Sequence, residues 1–422
     1  MPLKVEDAHT AWAGVENHVD DPEELRVMYS AADSFQQYAK TAHYQITHMR
    51  RNAFYALPQS QRSILNSPPI NYLDTLTKVD EAIQSNAKLA RAIFSTSLST
   101  FGLGVEVEDG SGKLQMPNQW DGRAKHNDID KARSTLRQFF RDWSEGGKIE
   151  REICYAPVKR AVAAEKKKFK TTTEDQRLKV LIPGAGLGRL VFDLFLDGCD
   201  TEGNEISYHQ LLASSYILNC VERKEQFEIF PWVHTFSNHL TRENQLRSYL
   251  VPDVHCATET ARVQQETGEL GEMSMTAADF LCEYNKPDNK DRFDVVATVF
   301  FLDTAPNLMR YLEAIMHCLK PGGILVNIGP LLWHFEGQVP RHMHDDGGDT
   351  ESECNMTGIT EPGSFELTDD EVISLVEKMG FVVESRETGI EAPYIHDAQS
   401  MLQSMYKASS WVARKPTVVK SE

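Results

Sequence analysis

The apolar run Lys179-Val180-Leu181-Ile182-Pro183 opens directly onto Gly184-Ala185-Gly186-Leu187-Gly188, and Gly203-Asn204-Glu205 follows about twenty residues on. Few local patterns restrict a fold as tightly. The run is partly β-branched and reads as a buried strand, while Leu187 to Gly198 carries apolar residues at helical spacing. Between them the glycines permit a sharp turn and a close approach of backbone to ligand. Strand, glycine turn, helix, and a second strand ending on a carboxylate is how a parallel α/β sheet begins. Glu205 at that strand end can accept from both hydroxyls of a ribose, so the pattern predicts an adenosine-containing cofactor. The spacing G-x-G-x-G at 184, 186 and 188 differs from the G-x-G-x-x-G of hydride-transferring dinucleotide enzymes.

The rest of the chain continues this rhythm. Phe293 to Phe301 reads as a buried strand, Asn307 to Leu319 as a helix, and Lys320-Pro321-Gly322-Gly323 as a turn into the strand Ile324 to Ile328. Phe381 to Glu384 and Ser410 to Arg414 supply a last, antiparallel pair. Upstream, Glu23 to His48 and Val79 to Phe101 have helical periodicity, with Pro58 and Pro68-Pro69 breaking the chain between them. A further helix, capped by Asn127 or Asp128, ends near Gly146-Gly147 and carries Gln138 and Arg141 on one side. The expectation is an N-terminal helical region over 1–125 and an α/β, doubly wound sheet domain over 126–416. Three segments read as loops: 106–125, 253–272 and 338–363, the last rich in His, Asp, Gly and Glu.

Charge excludes some functions. The net charge of −18 leaves no basic stripe for a phosphate backbone, so nucleic acid is not an expected partner. The seven cysteines are scattered without C-x-x-C spacing and read as reduced thiols, with no metal site. His342 and His344 beside Asp345 and Asp346 lack a second ligand cluster, and an acidic loop is the simpler reading. No apolar run is long enough to span a bilayer and no signal region opens the chain, so a cytoplasmic and also nuclear location is expected.

Read together, Leu181 to Leu190, Gly203-Asn204-Glu205, Phe230-Pro231-Trp232-Val233-His234, Phe236-Ser237-Asn238, Phe300 to Ala305, Asn327 to His334 and Arg50-Arg51-Asn52 form a specific set. It resembles the carnosine N-methyltransferases, within the class I S-adenosylmethionine-dependent methyltransferases, which have a Rossmann-like sheet. The resemblance covers about Tyr38 to Pro416, apart from the segments 253–272 and 338–363. One departure stands out: class I enzymes carry an acidic residue two positions before the first glycine, where this chain has Ile182.

The resemblance implies roles. Gln138 and Arg141 would reach the methionine end of S-adenosylmethionine, and Gly184, Gly186, Gly188 and Glu205 its methionine and ribose parts. Asp279 and Phe280 would bracket the adenine. Asp303, His334, Tyr394 and Tyr406 would line the acceptor site, with Asp303 and His334 catalytic. A homodimer through the N-terminal helices is implied as well. Taken singly, these residues have plainer readings: Gln138 and Arg141 an exposed helix face, Asp279 a helix cap, His334 and the tyrosines packing groups. Asp303 is different, because a carboxylate at the carboxyl end of a central strand lies where such sheets bind ligands.

The expected chemistry is methylation of the imidazole Nδ1 of carnosine, or of a related histidine dipeptide, to give anserine. Two alternatives remain at this level. The acceptor could be a protein histidine or another imidazole, or the chain could be a non-catalytic interaction protein that retains the cofactor fold.

Overall fold

Seven strands form the central sheet of the computed structural model, which describes residues 22–107, 111–170, 177–336 and 363–417. In chain order they are β1 (Lys179–Pro183), β2 (Asp200–Glu205), β3 (Met273–Ala277), β4 (Phe293–Val299), β5 (Leu319–Gly329), β6 (Val382–Pro393) and β7 (Met405–Arg414). Their spatial order is β6-β7-β5-β4-β1-β2-β3. Strands β1 to β5 pair in parallel, and β7 runs against both its neighbours, β5 and β6. Chain order therefore reverses at β1 and β4, and the crevice above their carboxyl ends is where a doubly wound sheet takes its ligand. Val180, Leu181, Val295, Val296, Leu325 and Val326 are buried on both faces, as continuous apolar runs in a parallel sheet require.

Helices cover the sheet: α1 (Pro22–Ala42), α2 (Tyr72–Thr100), α3 (His126–Trp143), α4 (Lys148–Lys170), α5 (Arg189–Leu196), α6 (Tyr208–Asn219), α7 (Cys256–Thr267), α8 (Phe280–Tyr284), α9 (Leu308–Cys318) and α10 (Asp369–Lys378). The hydrophobic core does not divide at residue 125. Phe35 and Tyr38 of α1, Val79 and Ile83 of α2, Phe139 of α3 and Leu212 of α6 belong to one buried cluster. The N-terminal helices are thus packed directly onto the element that carries Gln138 and Arg141.

Several boundaries differ from the sequence reading. α1 runs on through a π-helical stretch, His43–His48, into the helix Met49–Tyr55, and α2 begins at Tyr72. The expected cap of α3 is displaced: Asp128 sits inside the first turn, where its Oδ2 accepts from Lys125 N at 2.9 Å. The segment 253–272 is not a loop, because α7 occupies most of it. Within 106–125 a two-rung antiparallel pairing joins Val105–Glu106 to Leu114–Gln115, and 338–362 lies outside the described residues. Strand β4 stops at Val299, two residues short of expectation, because Phe300 turns into the left-handed region at φ 53°. Among the described residues no helix is long and apolar enough to cross a membrane, and no group of three or more His, Cys, Asp or Glu could hold a metal ion.

Candidate active site

A cavity of about 380 Å³ opens at the carboxyl ends of β1, β2 and β4. Its size lies within the range of small-molecule sites. The glycine turn forms one wall. Gly184 has φ +67°, and a Cβ there would lie 2.8 Å from the Phe301 ring, so no larger residue fits without moving that ring. Gly186 also lines the cavity. Gly188 does not; it is the N-cap of α5, with φ 74°.

Glu205 ends β2 and lines the same wall. Its Oε2 accepts from Gly186 N at 2.9 Å, and its Oε1 from Ile206 N and Ser207 N at 2.9 and 2.8 Å. Burial raises its pKa above the ordinary carboxylate value, with the three amides pulling the other way. The amides hold the side chain in place, and a carboxylate has about four acceptor sites, so capacity for a ribose hydroxyl remains.

Asp279 and Phe280 form the next wall. Asp279 lines the cavity, and its Oδ1 caps α8 by accepting from Leu281 N and Cys282 N at 2.8 and 3.1 Å. Phe280 is buried against Phe301 and Tyr311, with ring centroids 5.4 and 5.3 Å away. Phe280 stands edge-on to Phe301, while Phe301 and Tyr311 stack with centroids 5.1 Å apart, so the three rings form one apolar cluster on this wall.

Helix α3 supplies the opposite side. Gln138 is held by Gln210, whose Nε2 donates to Gln138 Oε1. Arg141 makes a two-point contact with the buried Asp142, Nε to Oδ1 at 2.6 Å and Nη2 to Oδ2 at 3.0 Å, and its guanidinium lies 4.9 Å from the Tyr394 ring centroid. Its Nη1 has no hydrogen bond among the described residues.

The acceptor candidates sit beyond Phe300. His334 and Tyr394 line the cavity, whereas Asp303 and Tyr406 do not. Asp303 lies in a single 3-10 turn, Leu302–Thr304, 4 % exposed, and its Oδ2 accepts from Leu332 N at 2.9 Å. Its backbone carbonyl accepts from His334 N at 3.2 Å. The carboxylate therefore fastens the segment after β5 that carries His334. Burial raises the Asp303 pKa, opposed by the Leu332 amide and by His334. Tyr406 packs behind Tyr394, ring centroids 6.5 Å apart, and both touch Phe300.

Other lining residues had no clear sequence signal. Glu150 of α4 accepts from Ile395 N and, at 3.0 Å, from His396 N, fixing the segment that presents Tyr394. Burial raises the Glu150 pKa against those two amides. Tyr311 is buried on the apolar face of α9, where spacing predicts core, and Phe300 reaches the cavity through its positive φ.

The residues fit an S-adenosylmethionine-like group. Gly184 leaves a cradle that a Cβ would fill, Gln210 Oε1 is a buried acceptor without a partner among the described residues, and Arg141 Nη1 offers a donor. Ile182, where class I enzymes carry an acid, is buried in the cavity wall and contributes no charge.

A family profile described as carnosine N-methyltransferase matches residues 118–417. The carnosine N-methyltransferase of Schizosaccharomyces pombe is 33% identical over 399 residues, covering 93% of this chain and 97% of that protein. That of Mus musculus is 32% identical over 389 residues, covering 92% and 86%. The Drosophila melanogaster protein named carnosine N-methyltransferase unmet is 36% identical over 292 residues, covering 69% of this chain and 57% of that protein. A match across most of the sheet domain, on a cavity at the sheet's switch point, assigns this chain to the carnosine N-methyltransferase family.

Proposed function

We propose that the protein transfers the methyl group of S-adenosylmethionine to the imidazole Nδ1 of carnosine, giving anserine. The observation that carries this reading is one cavity lined by Gly184, Gly186 and Glu205 together with His334 and Tyr394. When bound, S-adenosylmethionine supplies an electrophilic methyl group on a sulfonium. Gln138 and Arg141 are assigned to its methionine end, Glu205 to its ribose, and Asp279 with Phe280 to its adenine.

An imidazole with a pKa near ~6.5 is largely neutral at pH 7, so no proton must leave before attack. The tautomer must be right. His334 faces the cavity with Asp303 beside it, and we assign to this pair the acceptance of the substrate's Nε2–H, which leaves the Nδ1 lone pair free. The Asp303 charge would favour the imidazolium as it forms. Tyr394 positions the ring, backed by Tyr406, and alignment supplies much of the remaining rate.

Incubation with labelled S-adenosylmethionine and carnosine, followed by separation of the two methyl-imidazole isomers, tests this directly. Label in the Nδ1-methyl isomer is expected. Label in the Nε2 isomer would overturn the regiochemistry, and no label with calorimetric cofactor binding intact would move the search to protein histidines.

A further inference from the structure

The segment Phe230 to Asn238 has no part in the mechanism above, and none of its residues lines the described cavity; it is joined instead to the connection that carries Tyr394. Asn238 O accepts from Met401 N at 2.8 Å and from Ser400 Oγ at 3.1 Å, tying the segment to the β6–β7 connection that begins with Tyr394. On its other side it meets arginines. Arg137 lies 5.8 Å from the Trp232 ring centroid, and Arg50 and Arg242 lie 4.2 and 5.0 Å from that of Phe236.

Among the described residues none of these three guanidiniums has a carboxylate partner. That is unusual in a chain with 62 acidic and 44 basic side chains. Arg137 is the most notable of them. It stands one turn of α3 before Arg141, on the same face, and Arg141 lies against Tyr394. Its Nε and the Nε1 of the adjacent Trp232 are both buried without a hydrogen-bond partner among the described residues. Two unpartnered N–H donors side by side, one of them on a cation, leave a substantial cost unmet until an acceptor arrives. Burial lowers the Arg137 pKa, and the charges that oppose this belong to Glu150 and Tyr394, both cavity residues. Glu150 makes no ion pair with Arg137 among the described residues; its two oxygens accept from the Ile395 and His396 amides.

We propose that Arg137, with the Trp232 indole N–H beside it, is the subsite for the carboxylate of the acceptor dipeptide. The inference rests on the carnosine reading, for that substrate carries one carboxylate on the same residue as its imidazole. A planar guanidinium is suited to a two-point contact with it. The contact would orient the ring towards His334 and Tyr394, and Arg50 and Arg242 beside Phe236 would add to the positive field.

Steady-state kinetics with carnosine and with β-alanyl-histamine, the same molecule without its carboxylate, test the subsite on the full chain. For the unmodified protein, loss of the carboxylate should raise KM about tenfold to a hundredfold, the range for a hydrogen bond to a charged group. Arg137→Gln should raise the carnosine KM by a similar factor, leave that for β-alanyl-histamine unchanged, and keep cofactor binding by calorimetry. Arg137→Lys should recover part of the loss. If Arg137→Gln fails to fold, Trp232→Phe should show a smaller rise confined to carnosine. Equal penalties on the two acceptors, or equal efficiency of the unmodified protein on both, would overturn the subsite and leave the methyl-transfer reading standing. Methylation of neither would overturn that reading, and the subsite with it.

Discussion

The cofactor end and the acceptor end of the cavity are held by different means. At the cofactor end the backbone does most of the work: a glycine turn, the end of β2, and amides that fasten Glu205. Charge is balanced on the spot, as in the Arg141–Asp142 pair. At the acceptor end three segments distant in sequence bring side chains together: Phe300 to Thr304, the turn at His334 beyond β5, and the β6–β7 connection. Phe300 and Ile395 adopt positive φ, at 53° and 47°, and Arg137 has no acidic partner among the described residues. Non-glycine residues in that region cost on the order of 1–3 kcal/mol each, which surrounding contacts must offset. One end is a preformed cradle, and the other is assembled from parts.

The comparison breaks first at Asp303. Asp303→Asn should lower kcat by about a hundredfold to a thousandfold while cofactor binding by calorimetry stays unchanged. A variant that lost cofactor affinity instead would show the two ends to be one unit. Next comes the cradle: Gly184→Val forces a side chain onto Phe301 at a positive φ and should weaken cofactor binding by roughly ten- to a hundredfold. The acceptor KM measured at saturating cofactor should stay within a few-fold. Smaller still, Tyr394→Phe should raise the acceptor KM by about tenfold and Tyr406→Phe by less, because only Tyr394 lines the cavity. Equal effects on acceptor and cofactor KM would count against that placement.

The smallest expected effect lies behind the cofactor end, on α6. His209 is buried, and its pKa is lowered to about 4, by burial first and then by Lys131. The folded state therefore refuses a proton that the unfolded chain accepts. Stability from this group is full above about pH 6.5 and falls as pH drops towards about 4. By pH 5 the loss is about 2 kcal/mol, a few degrees in Tm. A Tm that does not fall between pH 7 and pH 5, or that falls equally in His209→Gln, would contradict it. His234 is also pushed down by burial and by Arg133 and Arg137, so it adds in the same direction behind the acceptor end.

The parts legible in the sequence were those a few neighbouring residues decide. Gly184 and Gly186 mark the turn because other side chains resist its φ, and Glu205 follows because a strand of known start has a predictable end. The apolar runs of β4 and β5 name themselves in the same way, and the family resemblance added the list of candidate residues. What the tertiary structure decided is which of those candidates meet. It fastened Asp303 to the Leu332 amide, placed Gly188 at a helix cap, and put Tyr406 behind Tyr394. It also brought Glu150 to the amides of Ile395 and His396, which lie 245 and 246 residues away along the chain. Backbone conformation is set by neighbours within a few residues, so it can be read locally. The partner of a buried charge is chosen by packing across the whole fold, and no local pattern carries that information.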